Sequence, residues 1–405
     1  MAATPKIALL VETSNTYARG LLQGIVSYIH EHRPWSIYLA EHSRGQPLPA
    51  WLNRWKGDGV IARIENASIA ATVRKLKAPT VDMSAARLIP SLPWVETDDV
   101  AIARLAAQHL MERGFRHFAF AGDNAFRWSR GRELTFVQLV QEAGYDCSVR
   151  HCSTLPTPQR EASVEKTGAW IARLPRPVGI MAAYDPLGKH VLDACRHRAI
   201  QVPDEVAVVG VDNDEVFCAL AAPSMSSIVL DTYRTGYVAA ALLDRMMAGE
   251  RIHGEGHLFP PLGLAARRST DTLAMEDHDL ALAVRFIREH ACEGISVKDV
   301  LKSVPLSRRV LESRFLKAVG RTPHAEILRV QLDQGKTLMR ESRLTLEQIA
   351  ERIGFAHVEY MSTVFRRKEG MPPSRYRALH QHRRSAVKFL KSGEQVLMDR
   401  RNSAL

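Results

Sequence analysis

Polar, planar and aromatic residues gather just past a series of short apolar runs. Glu12, Ser14 and Tyr17 follow Ile7 to Val11, and Trp128 and Arg132 follow Phe118 to Gly122. Asp185 follows Val178 to Ala183, and Asp212 and Asn213 follow Val206 to Val211. Asp, Asn and Arg make paired hydrogen bonds to neighbouring hydroxyls, and an aromatic ring covers the C–H face of a sugar. The set therefore suits a small polyhydroxylated ligand. Singly, each residue has a plainer reading, Asp185 as a helix cap and Tyr17 or Trp128 as packing; recurrence at successive run ends is what favours a pocket. Catalytic patterns are absent: the sequence holds no G-x-S-x-G, G-x-x-x-x-G-K-[ST], H-E-x-x-H or G-x-G-x-x-G. His151 beside Cys152, and His190 near Cys195, lack a second pair of ligands at metal spacing. The expectation is a binding protein without metal or other cofactor, not an enzyme.

A second set of residues lies in the last third. A shift of 50 residues lays Leu311 on Met361, Phe315 on Phe365, Lys317 on Arg367, Gly320 on Gly370 and Pro323 on Pro373. Two copies of one helical unit are implied. Each reads as two helices and a tight turn, with capping boxes at Ser296 to Asp299 and Thr345 to Gln348. A long helix from Thr322-Pro323 joins them. In the first unit Arg308, Arg309, Glu312, Ser313 and Lys317 face away from Leu311 and Phe315. In the second, His357, Val358, Glu359, Ser362, Thr363, Arg366 and Arg367 do the same opposite Met361 and Phe365. Such a face suits the major groove of double-stranded DNA, with a second reader about 34 Å further along. Arg309 can read guanine and Glu312 or Glu359 cytosine, while Lys317, Arg366 and Arg367 meet phosphate.

These side chains need elements to hold them. Residues 1–270 alternate strand runs with helical patterns such as Leu21, Ile25 and Tyr28, the order of parallel sheets covered by helices, where ligands bind beyond the carboxyl ends of strands. The expected organisation is a sensor over 1–270, an all-α double helix-turn-helix domain over 271–382, and a basic tail over 383–405.

Of the net charge of +11, residues 277–405 carry +10, so a near-neutral body is joined to a basic end that meets polyanions. With 405 residues the chain is long enough for two or three domains. No apolar run approaches membrane-spanning length, no cleavage-type signal opens the chain, and five scattered cysteines suggest no disulfide framework. A cytoplasmic protein is expected.

The segment Thr345-Leu-Glu-Gln-Ile-Ala-Glu-Arg-Ile-Gly-Phe355, with Phe365 to Lys368 and Gly370-Met-Pro-Pro-Ser-Arg-Tyr-Arg377, resembles the signature of AraC/XylS-family transcription activators. The body resembles the two-lobed α/β periplasmic-binding-protein-like sensor of LacI/GalR regulators through Val95-Glu-Thr-Asp98, His109-Leu110, Val206 to Asp212 and Ser226-Ser-Ile228. That likeness places the ligand-holding arginine and aspartate at Arg132 and Asp212. Together the two resemblances imply a sugar-responsive regulator with D-xylose as effector, a homodimer, activation of pentose genes, and RNA polymerase as a further partner. An enzyme fused to a DNA-binding module, or a repressor answering a phosphorylated sugar or nucleoside, stays open at this point.

Overall fold

The computed structural model describes residues 4–43, 46–152, 160–271, 277–342 and 344–378. The chain divides into two compact units between residues 274 and 275. The tail expected over 383–405 lies outside the described residues.

The first unit opens with β1 (Lys6–Leu10), α1 (Thr16–Glu31), β2 (Ser36–Leu39), β3 (Gly59–Ala62), α2 (Ala67–Leu76), β4 (Thr80–Asp82) and β5 (Trp94–Thr97). Next come α3 (Asp99–Met111), β6 (His117–Gly122), α4 (Arg127–Glu142), β7 (Cys147–His151), α5 (Arg160–Ile171), β8 (Val178–Ala182), α6 (Asp185–His197), β9 (Val206–Val211), α7 (Glu215–Leu220) and β10 (Ser226–Val229). It closes with α8 (Thr232–Met247), β11 (Gly256–Phe259) and β12 (Gly263–Ala265).

Two sheets result, ordered β11-β5-β4-β3-β1-β2 and β12-β10-β9-β8-β6-β7. The first is parallel throughout, and in the second only β12 runs antiparallel, on β10. The central strands are continuous apolar runs because helices cover both faces; every residue of β9, Val-Ala-Val-Val-Gly-Val, is buried. The chain passes between the sheets three times, from β5 to β6, from β10 to β11 and from β11 to β12. Each sheet is the centre of a lobe, and the three crossings make a hinge beside the cleft between them. Helices α1 and α8 approach so closely that a Cβ on Gly236 would lie 1.9 Å from the Leu21 carbonyl oxygen.

On α3, His109 is held neutral. Arg113 Nη1 lies 3.0 Å from its Nδ1, so its Nε2–H is free to donate to Thr270 Oγ1 at 2.9 Å. Burial, then the Arg113 charge, lower the His109 pKa to about 3. The sign follows: the unfolded imidazole binds its proton near pH 6.5, the folded one only near 3, so stability is fully present above 6.5 and is lost as pH falls through that window. A His109→Gln chain is expected to melt with a flatter pH dependence between 6.5 and 4 than the native chain; calorimetric melting across that range checks this.

The second unit contains α9 (His278–His290), α10 (Val297–Lys302), α11 (Arg308–Val319), α12 (Pro323–Glu341), α13 (Leu346–Arg352) and α14 (Val358–Glu369). Both capping boxes form, Ser296 with Asp299 and Thr345 with Gln348. Ser307 and Thr322 cap α11 and α12, and Gly320 and Gly370 end α11 and α14 in the left-handed conformation. With 19 residues, α12 is about 28 Å long at 1.5 Å per residue. Its Leu328, Leu332 and Met339 pack with Ile349, Ile353, Phe355, Met361, Val364 and Phe365 into one apolar core. Buried Gln331 on α12 donates to the Ala291 carbonyl at 2.9 Å. The turn before α14 carries Gly354 at φ +80, where a Cβ would lie 2.5 Å from Gly294 N, so only glycine fits.

Candidate functional site

Six side chains line a cleft in the first unit: Tyr17, Arg63, Glu96, Trp128, Arg132 and Asp212. The cleft is open to solvent, and its lining is polar and aromatic throughout. The first sheet's lobe supplies three groups. Tyr17 sits in the first turn of α1, which Asn15 caps; Arg63 directly follows β3; Glu96 lies in β5. The other lobe supplies Trp128 and Arg132, one turn apart on α4, and Asp212 just past β9.

Hydrogen bonds fix most of these groups. The Tyr17 hydroxyl donates to Glu96 Oε1 at 2.6 Å, and Thr97 N and Oγ1 donate to the same oxygen at 3.0 and 3.2 Å. Arg63 Nη1 donates to Glu12 Oε2 at 2.9 Å and its Nη2 donates to Glu65. Arg132 Nε donates to Asp99 Oδ1 at 2.8 Å and Nη1 to the Ala183 carbonyl at 2.7 Å. Trp128 stacks on Phe126 and meets Tyr184 edge-on, with the Arg132 guanidinium 5.0 Å from its ring centroid. Burial raises the Glu96 pKa, with Asp99 adding to the shift against the pull of Arg63. Burial opposes the Arg63 charge, yet Glu12 and Glu65 outweigh it and hold that arginine ionised. Asp212 and Asn213 take φ values of 102° and 48°, backbone strain of the kind that persists where surrounding structure enforces a site.

Of the residues expected at a ligand, Tyr17, Trp128, Arg132 and Asp212 come together in the lining. Four do not. Glu12 stands behind Arg63 as its ion-pair partner. Ser14 is exposed and outside the lining. Asp185 is fully buried; it accepts from Ser227 Oγ and Asp214 N, each at 2.6 Å, and so braces the loop after β9 from below. It is not the cap of α6, whose N-cap is Tyr184. Asn213 turns away and accepts from Arg267 Nη2 at 2.8 Å. Arg63 and Glu96 join the lining from outside the expected set; Arg63 follows an apolar run just as the expected residues do, and Glu96 lies within a strand.

Arg267 extends the loop's contacts toward the end of the unit. Its backbone N donates to Ser226 Oγ at 2.7 Å; that oxygen lies 2.6 Å from Thr270 Oγ1, and Arg113 Nε donates to the Thr270 carbonyl at 2.9 Å. An unbroken polar chain thus runs from the loop beside Asp212 to Thr270 and Arg113.

In the second unit, Arg308, Arg309, Ser313 and Lys317 on α11 are exposed, and half-buried Glu312 pairs with Arg308 at 2.9 Å. On α14 and its N-cap, His357, Glu359, Thr363, Arg366 and Arg367 are exposed and Ser362 is half-buried. Val358 departs from expectation: it packs partly against the core of Met361 and Phe365, as a branched apolar side chain one turn ahead of Met361 can. Among the described residues no group of three or more His, Cys, Asp or Glu is placed to hold a metal, and no helix is long and apolar enough to cross a membrane.

Family models match the XylR N-terminal domain over residues 6–100, a periplasmic binding protein-like domain over 107–270 and a helix-turn-helix domain over 300–379. The xylose operon regulatory protein of Escherichia coli K12 is 32% identical over 92% of this chain and 96% of its own length. That of Haemophilus influenzae is 30% identical over 92% and 98%. The solved structure of the xylose-binding transcription activator XylR superposes with a TM-score of 0.78 at 31% identity, covering 94% of this chain and 99% of that one. With a two-lobed binding cleft in one unit, paired helix-turn-helix elements in the other and relatives that match along nearly the whole length, this chain belongs to the xylose operon regulatory protein family of DNA-binding transcription regulators.

Proposed function

We propose that the chain is a D-xylose-responsive activator of pentose genes, acting in the cytoplasm as a homodimer that binds promoter DNA and contacts RNA polymerase. The observation that carries the ligand reading is the lining itself: two guanidinium groups, two carboxylates and two aromatic rings facing one cleft. That chemistry supports an uncharged polyol. A phosphorylated sugar, the second reading, is disfavoured because each arginine is already faced by carboxylates, Glu12 and Glu65 at Arg63 and Asp99 at Arg132, while Arg130 is exposed outside the lining. Titration calorimetry of the full chain with pentoses, hexoses, sugar phosphates and nucleosides tests this. The strongest heat is expected with D-xylose; tighter binding of a phosphate ester overturns the reading.

A sugar bridging the two lobes favours their closed arrangement, and it shifts regulation only through its different affinity for the open and closed states. The route out of the cleft is the polar chain through Asn213, Arg267, Ser226 and Thr270. Arg267→Ala is expected to keep sugar affinity and sugar-free DNA affinity within threefold, but to lose most of the sugar's effect on DNA binding; an intact response removes Arg267 from the route.

On DNA, the exposed faces of α11 and α14 meet base edges, and Lys317, Arg366 and Arg367 meet phosphates. Arg309→Ala is expected to weaken binding to the promoter site by about 5- to 150-fold, the value of one good base contact of ~1–3 kcal/mol, with little change on unrelated duplex. Equal weakening on both, measured at fixed salt, removes it from base reading.

A further inference from the structure

The two oxygens of Glu96 differ sharply. Oε1 accepts from the Tyr17 hydroxyl, Thr97 N and Thr97 Oγ1, whereas Oε2 is buried with no hydrogen-bond partner among the described residues. Arg63 shows the same division. Its Nη1 and Nη2 are taken by Glu12 and Glu65, and its Nε is buried and unpartnered among the described residues. Both side chains are 5% exposed and both line the cleft. Buried polar atoms are almost always satisfied, so one donor and one acceptor left open on two residues of one pocket lining call for a partner that arrives with the ligand.

We propose that Glu96 and Arg63 are the specificity-determining pair of the first lobe, reading one edge of the sugar ring by a hydroxyl that donates to Glu96 Oε2 while a hydroxyl oxygen accepts from Arg63 Nε–H. The proposal rests on the cleft being a sugar site and goes beyond it, because it says which groups recognise which chemistry. A ring ether oxygen accepts only and cannot serve both atoms; an intact hydroxyl, or two neighbouring ones, can. The ligand class is therefore a free monosaccharide unmodified along that edge, and a deoxy, O-alkyl or phosphoryl group there is rejected. Arg132, Asp212 and the Trp128 ring remain for the opposite edge and the C–H face. Discrimination follows from the pair being pre-set: Glu12 and Glu65 lock the guanidinium plane, and Tyr17 with Thr97 lock the carboxylate. A ligand lacking the hydroxyl leaves both atoms buried and unpaired, which selects strongly against it.

The test is a coupling measurement on the full chain. Native protein and Glu96→Gln are titrated calorimetrically with D-xylose and with its analogues lacking one hydroxyl at each ring position in turn. In native protein, deletion of one particular hydroxyl is expected to weaken binding 10- to 100-fold; in Glu96→Gln the same deletion is expected to cost less than threefold, since its partner is already gone. Equal deletion costs in the two proteins at every position overturn the proposal while leaving the sugar reading of the cleft intact. Absence of binding by native protein to D-xylose and every analogue overturns both. Should the glutamine chain not fold, Arg63→Lys, which keeps a cation for Glu12 and Glu65, carries the same comparison.

Discussion

An Arg132→Ala chain is expected to bind promoter DNA as the native chain does and to show no response to sugar. Arg132 is 3% exposed and does two things at once. It presents a guanidinium to the cleft, and it pairs with Asp99, opposing the rise that burial imposes on that carboxyl's pKa. Removing one partner of a buried pair costs about 3–5 kcal/mol because the other charge is stranded. The first unit should therefore melt well below its native temperature, while the transition of the second unit stays in place. Sugar affinity should fall by at least 100-fold. Asp212→Asn separates the two effects. Asparagine tolerates the positive φ at that position and leaves Arg132 its ion pair with Asp99, so the fold should hold while binding weakens at least tenfold. If both variants retain native sugar affinity, neither residue holds the ligand.

Phe365→Ala produces the opposite pattern: sugar binding is retained and operator recognition is lost. Phe365 is fully buried, and its ring meets Tyr376 edge-on at 5.5 Å. Phenylalanine-to-alanine changes in a core cost about 3–5 kcal/mol. The core around Phe365 is small, built from parts of α12, α13 and α14, and has little else to spend against that loss. DNA binding should fall to the weak, strongly salt-dependent level of non-specific contact. Phe315→Ala, at the equivalent position of the first unit's repeat and also fully buried, should act similarly. Operator affinity within threefold of native for Phe365→Ala would contradict the packing account of α14.

Local signals in the sequence were the most legible. The capping boxes at Ser296 and Thr345, the glycine ends at Gly320 and Gly370 and the 50-residue repeat each depend on residues a few positions apart, and the helices form where those signals put them. Helix α9 carries a signal of the same kind, with Leu280, Ala283, Val284 and Ile287 buried at helical spacing, but no capping box marks its start. The long-range parts were not legible. β11 joins β5 across about 160 residues of chain, and β4 has only three residues, too short for a period to show. The cleft was half legible. Residues just past strands could be named from their position, but whether Asp185 and Asn213 face a ligand or brace a loop depends on Ser227 and Arg267, far away in sequence. Glu96 could not be found by that rule because it lies within a strand, and its role is visible only once Tyr17 lies against it.

The central claim is that a small molecule in the cleft of the first unit governs DNA reading by the second. Its most direct test is a titration of the full chain against a fluorescent duplex from its own target promoter and a scrambled duplex of equal length, at one salt concentration, with and without saturating D-xylose. The account predicts at least 1,000-fold preference for the promoter duplex in the presence of sugar, and a promoter affinity that changes at least fivefold when sugar is withdrawn, with the scrambled duplex unaffected. Promoter binding that is indifferent to sugar, or no stronger than binding to the scrambled duplex, would contradict it.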